Sequence, residues 1–261
     1  MENKKINFVA NRRWLSKESE FRPQPIMKTI PEWYRKADRF FKHLETGKYA
    51  VGPDKGKIPT WKACPSMFDI MGSGYTYLTP CDINFVYDKN NKLIVEIEDS
   101  NYKDFCTPRS SLPGFVNPIG YREEHFAWYP DWGVQVPEGY SVLYSHPFNR
   151  FELPFLTLSG MVDNDKVSLP GMMPFFISKD FSGILPKGTP YSQMIPFKRE
   201  DWDSEFEIPT FSKMVLNVKK NGDKYRKPNG GIYKNEVWEP RKYKWGIIKI
   251  WIKWILNLGD L

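Results

Sequence analysis

Apolar and polar positions alternate in short runs through the middle of the chain, and the runs are broken by turn-forming residues. Ile83-Asn84-Phe85-Val86-Tyr87 leads through Asp88-Lys89-Asn90-Asn91-Lys92 into Leu93-Ile94-Val95-Glu96-Ile97-Glu98. Period-two alternation on both sides of an Asn-rich pentapeptide predicts a β-hairpin. Trp132-Gly133-Val134-Gln135-Val136, the turn Pro137-Glu138-Gly139 and Tyr140-Ser141-Val142-Leu143-Tyr144 repeat the pattern. Phe155–Leu158, Met173–Ile177 and Gln193–Phe197 add three further strands. Proline recurs from 23 to 209 and removes backbone donors, so long helices are not expected there. Residues 58–200 therefore read as one antiparallel β-domain, a sandwich or barrel.

The flanks have a different pattern. Residues 1–30 show neither helical nor strand periodicity and read as an arm. Pro31 to Lys42 places Trp33, Ala37, Phe40 and Phe41 on one face, which predicts a short amphipathic helix capped by Thr29 with Pro31 in its first turn. Thr210 to Lys220 predicts another helix, ended by Asn221-Gly222. Trp245 to Leu256 is apolar on most faces, with Gly246, Lys249, Lys253 and Asn257 as its narrow polar stripe. A helix over 243–258 is expected to pack against protein through Trp251, Ile252, Ile255 and Leu258, or else to lie on a membrane surface. The resulting partition is an arm with a short helix (1–57), a β-domain (58–200) and a basic, aromatic extension (201–261).

Composition narrows the functional classes. With 41% hydrophobic residues in 261, the chain can build a real core. No run of about 18 apolar residues occurs, so no transmembrane helix is expected, nor does Met1–Lys5 open a secretory leader. Three scattered cysteines, Cys64, Cys81 and Cys106, suit a reducing compartment rather than a disulfide framework. The net charge of +7 comes from the tail, where residues 213–253 hold twelve Lys or Arg against three Asp or Glu. Aromatics interleave there with cations, as in Arg241-Lys242-Tyr243-Lys244-Trp245. That pattern suits nonspecific nucleic-acid contact, a solvated basic face, or an acidic protein partner.

The common catalytic signatures are missing: there is no HExxH, GxSxG, GxxxxGK[ST] or strand-following GxGxxG pattern. His43, His125 and His146 lie far apart, and no metal site is expected. Glu123-Glu124-His125 reads as a surface loop, and Ser145-His146-Pro147 as a structural, hydrogen-bonded histidine.

Four segments carry a resemblance. Gly72-Ser73-Gly74-Tyr75-Thr76-Tyr77-Leu78 is similar to "SAGYDL", and Val136-Pro137-Glu138-Gly139-Tyr140-Ser141 to a "P-x-G-Y" strand turn. Gly160-Met161-Val162-Asp163-Asn164-Asp165 is similar to "GVIDxDYRG", and Ile184 to Pro196 to "I-x-x-GDRIAQL". In order and spacing these resemble the trimeric dUTPase and dCTP-deaminase group, whose fold is a distorted β-barrel, the β-clip. Separately, the chain from Ile30 to about Arg199 resembles uncharacterised proteins of tailed bacteriophages, especially marine ones, through stretches such as Ile30-Pro31-Glu32-Trp33-Tyr34. The resemblances imply a mainly β, β-clip-like domain with a short N-terminal helix and a helical tail, assembled as a homotrimer. They place binding candidates at Tyr75, Gly139, Tyr140, Asp163 and Gln193, with Asp163 at the position of the water-activating aspartate.

Departures from the enzyme pattern bear on the chemistry. The carboxylate of "GYDL" is replaced at Tyr75-Thr76-Tyr77-Leu78, and Ser145–Arg150 stands where the phosphate-binding "RSG" turn belongs. Lys166-Val167-Ser168 replaces "YRG", and Thr189 and Pro190 replace the aspartate and arginine of "GDRIAQL". A triphosphate needs cations and amides to balance its charge, so these losses argue against hydrolysis. The expected function is then a non-enzymatic phage protein, in the virion or the host cytoplasm, that assembles with itself and with other phage proteins and needs no cofactor. The alternative is a nucleotide-binding or nucleotide-hydrolysing enzyme with an altered pocket, which would use Mg²⁺. On that alternative Asp163 is catalytic; otherwise Asp163-Asn164-Asp165 is a turn.

Overall fold

The computed structural model describes residues 4–53, 55–110, 114, 116–168, 171–225 and 233–239. Fourteen strands run in chain order: β1 (Asn7–Ala10), β2 (Gln24–Pro25), β3 (Tyr75–Leu78), β4 (Ile83–Tyr87), β5 (Leu93–Glu96), β6 (Cys106–Arg109), β7 (Tyr121–Trp128), β8 (Trp132–Gln135), β9 (Tyr140–Ser145), β10 (Phe155–Thr157), β11 (Gly160–Val162), β12 (Met173–Ser178), β13 (Gly183–Leu185) and β14 (Pro190–Lys198). Among the described residues the α-helices are α1 (Glu32–Lys36), α2 (Pro65–Gly72) and α3 (Phe211–Tyr225). The chain is mainly β, and every pairing is antiparallel. Strand orders are β11-β9-β14-β3-β2, β10-β12-β7-β6, β13-β4-β5 and β1-β8, and among the described residues they do not close into one barrel.

By its contacts the chain falls into two units. One joins the chain up to Thr29 to Ser73–Glu200; the other joins Ile30–Gly72 to the chain from Asp201 on. In the first, aromatic side chains tie the sheets together. Phe175 stacks on Trp128 at 3.7 Å and meets Phe85, Phe126 and Phe155 at 5.7–6.4 Å. All five are fully buried, and each contributes on the order of 2–3 kcal/mol from apolar burial. The buried indole of Trp128 is satisfied: its Nε1 donates to Thr157 Oγ1 (3.1 Å), which in turn donates to the Tyr191 carbonyl (2.7 Å). In the second unit, Pro65 opens α2. Trp238 Nε1 there donates to Asp69 Oδ2 at 2.9 Å.

The hairpin expected at 83–98 forms as β4–β5, with Phe85 opposite Val95. Its turn is held by Asp88 Oδ1, which accepts from the Asn90 and Lys92 amides (2.8 and 2.9 Å) while Asn91 sits at φ 59°. Other expectations are corrected. The arm contains two strands: β1 pairs with β8 and β2 with β3, partners too distant in sequence for local periodicity to reveal. Residues 132–144 make no hairpin, because β8 joins β1 while β9 lies between β11 and β14. Within the stretch read as strands from 58, α2 is helical. Helix α1 stops at Lys36, where Ala37 turns extended (ψ 140°), and its N-cap is Pro31; the Thr29 hydroxyl instead donates back to the Ile26 carbonyl. Its buried side chain is Tyr34, while Trp33 is exposed. Helix α3 runs through Asn221-Gly222 to Tyr225. The helix expected at 243–258 and most of the basic tail lie outside the described residues.

Candidate functional site

Asp163 and Asp165 leave β11 in a turn that closes on the start of β9 and the end of β14. Arg199 Nη1 and Nη2 grip the two oxygens of Asp165, with Nη1–Oδ1 at 2.9 Å. The same Nη1 donates to the Tyr140 carbonyl (2.8 Å) and Ser141 Oγ (3.0 Å), and lies 3.3 Å from Asp163 Oδ1. Ser141 Oγ donates to Asp163 Oδ1 at 2.6 Å, and the Gly139 amide donates to Asp165 Oδ2 at 2.9 Å. Gly139 sits at φ 79°, in the left-handed region, which presents that amide; the Arg199 amide donates to its carbonyl at 2.9 Å. Between the carboxylates, buried Asn164 bridges the Tyr144 hydroxyl (2.9 Å) and the Val167 carbonyl (2.9 Å). The Asp165 side chain is 4% exposed and that of Asp163 50%. Hydrogen bonds from Arg199 hold the Asp165 carboxyl well below the ordinary carboxylate range.

Of the five binding candidates that the resemblance groups, Gly139, Tyr140 and Asp163 meet here. Tyr75 and Gln193 do not join them. Gln193 faces Ser145 on β9, whereas Tyr140 faces Lys198. Five register steps separate the two places, about 17 Å along the strand. Gln193 is buried and consumed internally: its Oε1 accepts from the Phe148 amide (3.0 Å) and its Nε2 donates to the Ser73 carbonyl (2.7 Å). Tyr75 on β3 packs edge-on against Phe8 at 5.2 Å. Arg199, the cation that closes the turn, carries no signal in the sequence, because no spacing links it to residues 139–165.

The geometry does not fit Mg²⁺ held at Asp163 or Asp165, since a guanidinium already stands between both carboxylates. Among the described residues no group of three His, Cys, Asp or Glu side chains gathers as a metal site. Glu123-Glu124-His125 is part of strand β7 rather than a loop, with His125 against Phe176 at 5.7 Å. His146 is held structurally: its Nδ1 faces the Thr157 amide (3.5 Å) and its Nε2 the Arg150 carbonyl (3.3 Å), and burial lowers its pKa.

A different concavity opens in the first unit, a cleft of about 690 Å³. Six carboxylates line it, those of Glu20, Asp82, Glu96, Glu98, Asp99 and Asp131, against one lysine, Lys187. They come from the arm, the β3–β4 and β5–β6 connections, the end of β5 and the turn before β8. The floor is aromatic, with Tyr77 stacked on Tyr191 at 5.6 Å and Phe105 edge-on to Tyr191 at 5.4 Å. Asp131 is buried, and its Oδ1 accepts from Arg12 Nε at 2.5 Å; desolvation nevertheless raises its pKa. Burial and the neighbouring Asp99, Asp131 and Asp82 push the Cys81 thiol up to about 12, so it is no nucleophile. No run in the sequence announces this cleft, because its acids are spread over more than a hundred positions.

No protein-family model matches the chain, and no curated protein is significantly similar to it.

Proposed function

We propose that this chain is a non-enzymatic structural or assembly protein of a tailed bacteriophage, a β-clip-like module that oligomerises, as a trimer, and grips its neighbours through its C-terminal extension. The observation that carries the reading is the surface of that extension. Trp202, Phe206 and Ile208 are 86–92% exposed, and α3 continues the apolar surface with Phe211, Leu216 and Val218. Large apolar side chains gathered on one exposed segment mark an association surface. The resemblance of residues 30–199 to tailed-phage proteins supports the phage assignment, and the resemblance to dUTPases supports the trimer.

The competing reading, a nucleotide-handling enzyme of the dUTPase or dCTP-deaminase type, is disfavoured by the Arg199 clamp on Asp163 and Asp165 and by the internal bonds of Gln193. Light scattering of the pure protein should give a mass near three chains, and purified virions should contain the polypeptide. Incubation with dUTP or dCTP and Mg²⁺ should release neither pyrophosphate nor ammonia. A monomer at micromolar concentration, or nucleotide turnover, overturns the proposal.

A further inference from the structure

We infer that the acidic, aromatic-floored cleft of the first unit binds a small aliphatic polyamine, with alkyl chain over the tyrosines and ammonium groups among the carboxylates. The volume of about 690 Å³ falls in the range of small-molecule sites. The charge of the wall selects a cation: six carboxylates face Lys187, with Arg12 engaging one oxygen of Asp131 from the arm. These carboxylates do not converge on one point, since no metal-holding group of three exists among the described residues. A ligand with several spaced positive charges matches such a distribution, as a compact ion does not.

A second, independent feature points to a ligand. Tyr191 is 1% exposed and lines the cleft, yet among the described residues its hydroxyl makes no hydrogen bond. Buried phenols ordinarily find a partner. Its stacked neighbour Tyr77 has one, donating to the Trp132 carbonyl at 2.5 Å. Burial raises the pKa of the Tyr191 phenol, with Tyr77 and then Asp131 adding to it, which places Tyr191 and Asp131 in the same field. An ammonium entering between them would donate to both, while the aromatic faces favour a cation within about 6 Å of a ring centre.

Two substitutions keep the fold and remove the site. Glu96→Gln with Glu98→Gln neutralises two exposed carboxylates at the rim, and Tyr191→Phe removes the hydroxyl without changing the buried ring. Calorimetric titration of the full-length protein with spermidine should show saturable one-to-one binding that weakens as salt rises. The double variant should bind about tenfold more weakly, the effect of two lost ion pairs. Tyr191→Phe should bind several-fold more weakly with its melting temperature within about a degree of the parent. An uncharged diol of similar length should give no binding. Absence of saturable spermidine binding, equal affinity in both variants, or Mg²⁺ competing as well as putrescine at equal concentration would each overturn the inference.

Discussion

A single cation decides what the Asp163-Asn164-Asp165 turn can do. Arg199 spends its guanidinium on Asp165, Asp163, Ser141 and the Tyr140 carbonyl, joining β9, β14 and the turn after β11. Because the Asp165 carboxyl titrates below its unfolded value, near 3.9, its contribution to stability is complete above that pH and is lost as pH falls through the folded value. Replacing Arg199 with Leu should lower the melting temperature at pH 7 and shrink the loss of stability between pH 4 and pH 2, followed by thermal denaturation across that range. His146 works on a different window. Burial favours its neutral ring, with Arg150 opposing the proton while Glu152 and the Arg150 carbonyl favour it. A histidine whose folded pKa is depressed leaves stability complete above about 6.5 and costs stability below it. His125, also lowered by burial and by Arg109, acts in the same direction. Stability should therefore fall from pH 7 to pH 5, and His146→Gln should flatten that slope in chemical denaturation. Gly74 is fixed by space: at φ 78° an added Cβ would stand 2.0 Å from the Met194 carbonyl oxygen. Gly74→Ala should cost about 3 kcal/mol or more in unfolding experiments, through strain that the β14 backbone cannot relieve.

At the scale of elements, legibility followed the range of the contacts. The β4–β5 hairpin was legible because alternation, turn chemistry and register all lie within 83–96. The turn at Asp163–Asp165 was legible only in part: Asn164 Nδ2 bonds Val167 locally, but the two carboxylates take their partners from Gly139, Ser141 and Arg199. Strands β1 and β2 were not legible: four and two residues long, they take their pairing from β8 and β3, more than forty residues away. Strand β7 was hidden by its charges, because Glu123 and Glu124 sit at the end where burial fades while Phe126, Ala127 and Trp128 enter the core. The cleft combines residues from five segments, and only the assembled sheets bring them together. Phe175 shows what that assembly rests on, since its ring touches β4, β7 and β10 from β12. Phe175→Ala should destabilise by about 3–5 kcal/mol, measured by urea unfolding, because the cavity opens where β12 and its two neighbours β7 and β10 meet β4 of another sheet.

For the whole molecule, the contrast lies between an inward-facing aromatic core and an outward-facing aromatic extension. In the first unit an aromatic cluster that includes Phe85, Phe126, Trp128, Phe155 and Phe175 is fully buried, while Ile119, Phe151 and Met161 stay exposed. From Trp202 to Val218 the large side chains face solvent, beside the acidic groups Asp201, Asp203, Glu205 and Glu207. Apolar side chains flanked by charges fit the association surface proposed above, with a polar rim. A polar residue in place of an exposed apolar one costs the isolated chain little, whereas at an interface it leaves a charge without water. The combined substitution Phe206→Asp, Ile208→Asp and Phe211→Asp should therefore preserve the β circular-dichroism signal and the melting transition of the core while converting the proposed oligomer to single chains in light scattering. If the mass stays that of the oligomer, another surface holds the copies together; if the parent protein is itself a single chain, the extension grips a different protein.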